Sequence, residues 1–122
     1  MLDIPVDHQS TVPPYEQLRL GIVARVQSGE LTAGTKIPTV RALAGRLGLA
    51  PNTVARAYRE LEQDGVIETR GRLGSFIASS GDPTRDAAGR AATDYVAAVR
   101  RLGIDDEAAL RYVRAALGDI GG

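Results

Sequence analysis

Apolar residues at Tyr15, Leu18, Ile22 and Val26 lie three, four and four positions apart, the interval that returns side chains to one face of an α-helix. Pro14 stands at a first helical position, where its missing N–H would have had no partner, and Gly29 ends the pattern after Ser28. The run from Gly29 to Pro38 contains two glycines and predicts a loop leading to a short extended piece at Lys36-Ile37. Val40, Leu43 and Leu47 then restart the helical interval behind Thr39, whose hydroxyl suits an N-cap. Gly48 stops this second helix, because glycine takes the left-handed conformation at a helix end without steric cost.

Only Gly48-Leu49-Ala50 separates that helix from the next start at Pro51, and two helices joined by so short a glycine-containing turn form a helix-turn-helix, here 39–58. In the third helix, Pro51 to Asp64, the residues Val54, Ala57, Tyr58 and Leu61 fall within about 100° of one another and form the buried face. Asn52, Arg56, Arg59 and Gln63 project within about 40° of the opposite side. Two β-prone runs follow, Val66 to Thr69 and Ser75 to Ala78, joined by Arg70-Gly71-Arg72-Leu73-Gly74. They predict a hairpin with two arginines at its tip, so residues 11–79 read as a winged helix-turn-helix whose wing is 66–78.

Beyond a small linker, Asp82-Pro83 marks another helix start. Ala88, Ala92, Tyr95, Val99 and Leu102 alternate spacings of four and three, the seam of a helix that packs on a partner. Gly103 breaks it, Asp105 caps a further helix, and Leu110, Val113 and Leu117 share one of its faces. The expected fold class is therefore mainly α with a small β-hairpin: a winged helix-turn-helix followed by a two-helix dimerisation tail over 82–118, with those eight apolar residues as its contacts.

The chain has 122 residues, 43% of them apolar, enough for one packed core. It has no cysteine and one histidine, which removes disulfides, thiolate metal sites and histidine clusters, and no cofactor is expected. The 15 basic and 15 acidic residues cancel. Their distribution does not: Lys36 to Arg72 holds seven basic and four acidic residues, against eight and eleven elsewhere. A Debye length of about 10 Å keeps distant acids from cancelling such a local surplus. Asp3 and Asp7 precede the first cation, Arg19, the wrong charge order for a secretory leader, and no apolar run approaches the ~20 residues of a membrane helix. A cytoplasmic protein with no membrane partner is the expectation, and His8 reads as an exposed leader residue.

Asparagine, arginine and glutamine on one helix face offer bidentate hydrogen bonds to base edges, so double-stranded DNA is the expected partner. The residues Ile37-Pro38-Thr39-x-Arg41-x-Leu43-Ala44, then Leu47-Gly48-Leu49, then Asn52-Thr53-Val54-x-Arg56-Ala57-Tyr58-x-x-Leu61-Glu62-x-x-Gly65, then Gly74-Ser75-Phe76-Ile77 carry a further signal. This stretch resembles the DNA-binding domain of the GntR family of bacterial transcription regulators, with motif, order and spacing matching over about residues 11–79. The short tail of 42 residues from 81 to 122 is similar to that of the YtrA-like subfamily, whose tails are implicated in dimerisation, and leaves no space for a separate sensor domain. The resemblance implies DNA contacts from Thr39 and Arg41, from Asn52, Thr53 and Arg56 at the start of the third helix, and from Arg70, Gly71 and Arg72 in the wing, with Lys36 beside them. The chain departs from the family's pattern at Ala50-Pro51, where many members have Ser or Asp then Arg, at the wing tip Gly71-Arg72-Leu73-Gly74, and at Ser75, where Thr is usual.

The expected function is a homodimeric, sequence-specific transcriptional regulator that represses from a palindromic operator. Any small-molecule effector is expected between the tail helices or at the dimer interface. The alternative is a winged-helix interaction module that never reads DNA, for which Arg41→Ala and Arg56→Ala would be silent. An enzyme is not expected, since no Ser/His/Asp, Cys/His or phosphate-loop arrangement is present and Asp105-Asp106-Glu107 simply complements a helix dipole. Tyr58, Tyr95 and Tyr112 read as packing residues.

Overall fold

The computed structural model describes residues 2–118. Five helices run in the order α1 (Pro14–Gln27), α2 (Val40–Leu47), α3 (Pro51–Gln63), α4 (Pro83–Arg101) and α5 (Asp106–Ala116). Three short strands, β1 (Lys36–Ile37), β2 (Ile67–Thr69) and β3 (Ser75–Ile77), form an antiparallel sheet in the order β1-β3-β2. The extended piece ahead of α2 thus joins the expected hairpin as a third strand, Lys36 opposite Phe76 and Ile37 opposite Ser75. The wing tip is a short 3-10 turn, Gly71–Leu73, rather than a plain two-strand connection.

The stripes predicted for α1, α2 and α3 reach the core. Leu18, Ile22 and Val26 of α1, Leu43 of α2, and Val54, Ala57, Tyr58 and Leu61 of α3 are buried together with Ile37, Ile67 and Ile77 from the sheet. Packing α3 against α1, α2 and β2 makes it the centre of this body. Fully burying one leucine or isoleucine contributes about 1.5–3 kcal/mol, so the stripes account for most of the driving force. Thr39 caps α2 by accepting from the Ala42 amide at 3.1 Å, and Gly48 closes it in the left-handed conformation at φ 68°. Tyr58 adds a directional tie: its hydroxyl donates to the Pro38 carbonyl at 2.7 Å, and burial pushes the phenol well above its ordinary pKa.

The leader is more than a polar extension. His8 is exposed as expected, but Leu2 and Ile4 are buried in the same core cluster. Gln17 holds the segment down, its side chain accepting from the Asp7 amide at 2.8 Å and donating to the carbonyls of Asp7 and Val12.

The junction with α4 is built from polar contacts. Asp82 caps the helix, accepting from the Thr84 amide at 2.9 Å. Asp86 is buried and accepts from the Ser80 hydroxyl at 2.7 Å, the Ser80 amide at 2.8 Å and the Ser79 hydroxyl at 2.9 Å. Those hydrogen bonds, led by the Ser80 hydroxyl, hold its carboxyl below the ordinary carboxylate range. One turn on, Gly89 is buried against the Thr32 side chain and the Ala33 backbone: a Cβ there would stand 2.8 Å from Thr32 Cβ and 3.2 Å from the Ala33 nitrogen, so only glycine permits this approach. The α4 to α5 connection is equally direct, with the Tyr95 hydroxyl donating to the Ala109 carbonyl at 2.8 Å and Asp105 capping α5.

Candidate nucleic-acid interface

The side of the body formed by α2, α3 and the wing carries the expected DNA residues. Because α3 buries Val54, Ala57, Tyr58 and Leu61, the same helical period turns Asn52, Arg56, Arg59 and Gln63 to solvent, and all four are exposed. Thr53 is half-buried. Arg41 stands two residues after the Thr39 cap, in the first turn of α2, and is exposed with no ion pair among the described residues. Arg59 and Arg72 are exposed in the same way, as is Arg46, which the motif did not single out. Lys36 is exposed on β1, at the base of the wing sheet. Thr39 is exposed too, with its hydroxyl engaged as the cap of α2.

Two of the expected arginines are held within the protein. The Arg56 guanidinium lies 3.7 Å from the centre of the Tyr15 ring and 3.4 Å from Glu60 Oε2, folded along the α3 surface toward α1. Arg70 pairs with Glu68 and lies 4.4 Å from the centre of the Phe76 ring. These contacts pre-orient both side chains at exposed sites, where a cation–π contact is worth roughly 0.5–1 kcal/mol, small enough to exchange for phosphate or a base edge. The missed partners, Tyr15 and Phe76, lie on α1 and β3, so no spacing within α3 or the wing tip could have announced them. Gly71 opens the 3-10 turn at the tip, and Arg72 within that turn is exposed.

The chemistry available here is recognition by hydrogen bonding and charge. Among the described residues no group of His, Cys, Asp and Glu could hold a metal ion, and no helix is long and apolar enough to cross a membrane. Residues 14–77 match the family described as bacterial regulatory proteins, gntR family. The chain belongs to the GntR family. It is 51% identical over 108 residues to the HTH-type transcriptional regulator Rv1152 of Mycobacterium tuberculosis (strain ATCC 25618 / H37Rv), covering 88% of each chain. It is also 42% identical over 81 residues to the HTH-type transcriptional repressor YtrA of Bacillus subtilis (strain 168), covering 66% of this chain and 62% of that one. Its fold matches the crystal structure of AraR(DBD) in complex with operator ORX1, with a TM-score of 0.56 and 25% identity, over 62% of this chain and 96% of the other. This GntR protein is thus a transcriptional regulator with a winged-helix DNA-binding domain, not an enzyme.

The tail divides the expected dimer residues. Val99 is buried and Tyr95 half-buried within the protomer, whereas Ala88, Ala92 and Leu102 of the same expected seam are exposed. The buried positions of α4 include Asp86 and Gly89, which the spacing of apolar residues could not reveal. Leu110 and Val113 of α5 and its C-cap Leu117 are all exposed, and Ala109 is the buried residue of the helix.

Proposed function

We propose that this GntR protein acts as a homodimeric repressor that reads a palindromic operator through α3, with Arg41, Asn52, Thr53 and Arg56 at base edges and neighbouring phosphates. Lys36, Thr39 and the wing residues Arg70, Gly71 and Arg72 grip the backbone. The observation that carries this reading is the division of α3 into a sealed apolar face and an exposed Asn/Arg/Arg/Gln face, next to the exposed arginines of α2 and the wing. Phosphate contacts supply affinity and base contacts supply sequence, so binding falls steeply with salt while specificity rests on α3. Repression is supported by the relative YtrA, a transcriptional repressor, and dimerisation by the uncovered apolar face of the tail. Two α3 helices held by one dimer would enter successive major grooves, about 34–36 Å apart.

Selection of bound sequences from random duplexes tests the reading. An enriched palindrome with half-sites about one helical turn apart is expected, and addition of protein to a promoter carrying it should reduce transcription in vitro. No enrichment at moderate salt would falsify the DNA reading, and enrichment of a single half-site would remove the dimer.

A further inference from the structure

The cleft between the wing sheet and α4 lies apart from the base-reading face of α3. It has a volume of about 470 Å³, within the size range of small-molecule sites. Phe76 of β3 and Val96 and Ala97 of α4 give it an apolar lining, Thr35 and Thr93 add hydroxyls, and Lys36 and Arg100 bring one cation from each wall. Lys36 has no ion pair among the described residues, and Arg100 meets Asp106 at 3.3 Å between two exposed side chains. Exposed pairs of this kind are worth at most about 1 kcal/mol, so Arg100 remains available to an anion.

The walls are fixed in place by backbone contacts. Gly89 seats α4 against Thr32 and Ala33, the Gly34 amide donates to the Ile77 carbonyl at 2.8 Å, and the Ile77 amide donates to the Thr35 carbonyl at 2.9 Å. We infer that this cleft binds a small amphipathic carboxylate, its apolar body against Phe76 and Val96 and its charge on Lys36 and Arg100. The occupied cleft would act on the wing, because the Phe76 ring that lines it also carries Arg70 and lies opposite Lys36 in the sheet. A carboxylate on Lys36 removes one cation from the DNA-facing charge, so ligand weakens duplex binding. That coupling rests on the proposed DNA reading; binding of the carboxylate does not.

The test titrates the full chain with phenylacetate, indoleacetate and hexanoate, each beside its neutral amide, and follows backbone amide signals in the absence of DNA. At least one acid should give saturable shifts at Thr35, Lys36, Phe76, Thr93 and Ala97, with its amide bound about fivefold more weakly. Lys36→Gln should erase that preference, and Ala97→Trp, at an exposed helical position, should block the cleft while leaving signals of α1 and α3 in place. The inference is overturned if none of the three acids saturates, if acid and amide bind alike, if Ala97→Trp changes nothing, or if the shifts centre on Leu110 and Val113. Duplex binding is measured separately by fluorescence anisotropy. A bound acid without any duplex binding sinks the DNA reading alone, and duplex binding unmoved by a bound acid sinks the coupling alone.

Discussion

Along the chain the apolar stripes of α3 and α5 look alike, yet they end in different surroundings. Val54, Ala57, Tyr58 and Leu61 are all buried, because α1, α2 and β2 close over α3. Leu110 on α5 is 59% exposed and Leu117, its C-cap, 78% exposed, and Leu102 at the end of α4 is 74% exposed. Amphipathic periodicity therefore states that a helix has an apolar face without stating whether its own chain will cover it. In the body the stripe is a folding device, and in the tail it stays exposed, the face that the proposed dimer would cover.

The largest effect expected from that contrast is on folding. Leu61→Ala, at a fully buried site touched from several sides, should lower stability by about 2–5 kcal/mol, read as a drop in the urea midpoint. The paired change Leu110→Asp with Leu117→Asp should do the reverse: leave the urea midpoint of the body nearly unchanged and convert dimer to monomer in sedimentation. It should also weaken binding to a full palindrome about a hundredfold through lost avidity. If the tail double variant unfolds the body, the two stripes are not different in kind.

Smaller effects distinguish residues within the body. Arg41→Ala should cost about 1–3 kcal/mol of operator affinity with no change in melting temperature, since its side chain has no partner among the described residues. Tyr58→Phe should cost about 1 kcal/mol of stability by removing the hydroxyl bond to Pro38, and leave operator sequence preference untouched.

The finest test concerns the polar latch between body and tail. The Asp86 carboxyl is held below its ordinary range, so its contribution is fully present above the unfolded value near about 3.9 and is lost as pH falls through the lower folded value. Asp86→Asn should therefore speed amide exchange at Ser80 at neutral pH, and the difference from wild type should close only as pH falls through the lowered folded value of Asp86, beneath its ordinary range. A difference that persists at low pH would assign the latch to packing instead of charge.

Most of the body was legible before the structure, because its signals are local. Spacing placed α1, α2 and α3, Thr39 and Gly48 bounded α2, and the two β-prone runs placed the wing. Leu2 and Ile4 were hidden because Asp3, Asp7 and His8 make the segment read as polar. The alternation of Leu2, Ile4 and Val6 was the available signal, the period of an extended chain with one face covered. The third strand was visible only as a short extended piece, since two residues carry too little pattern to specify a pairing.

Local chemistry thus decided which residues are helical, where each helix starts and stops, and which face of α3 is apolar, since caps and periodicity act over a few residues. Tertiary structure decided who covers each face and which charges are already engaged. Arg56 rests on Tyr15 and Arg70 on Phe76 through contacts between separate elements, and Gly89 is required by a backbone that passes it from residue 33. Such contacts depend on distances that exist only after the chain has closed, and no spacing along it records them.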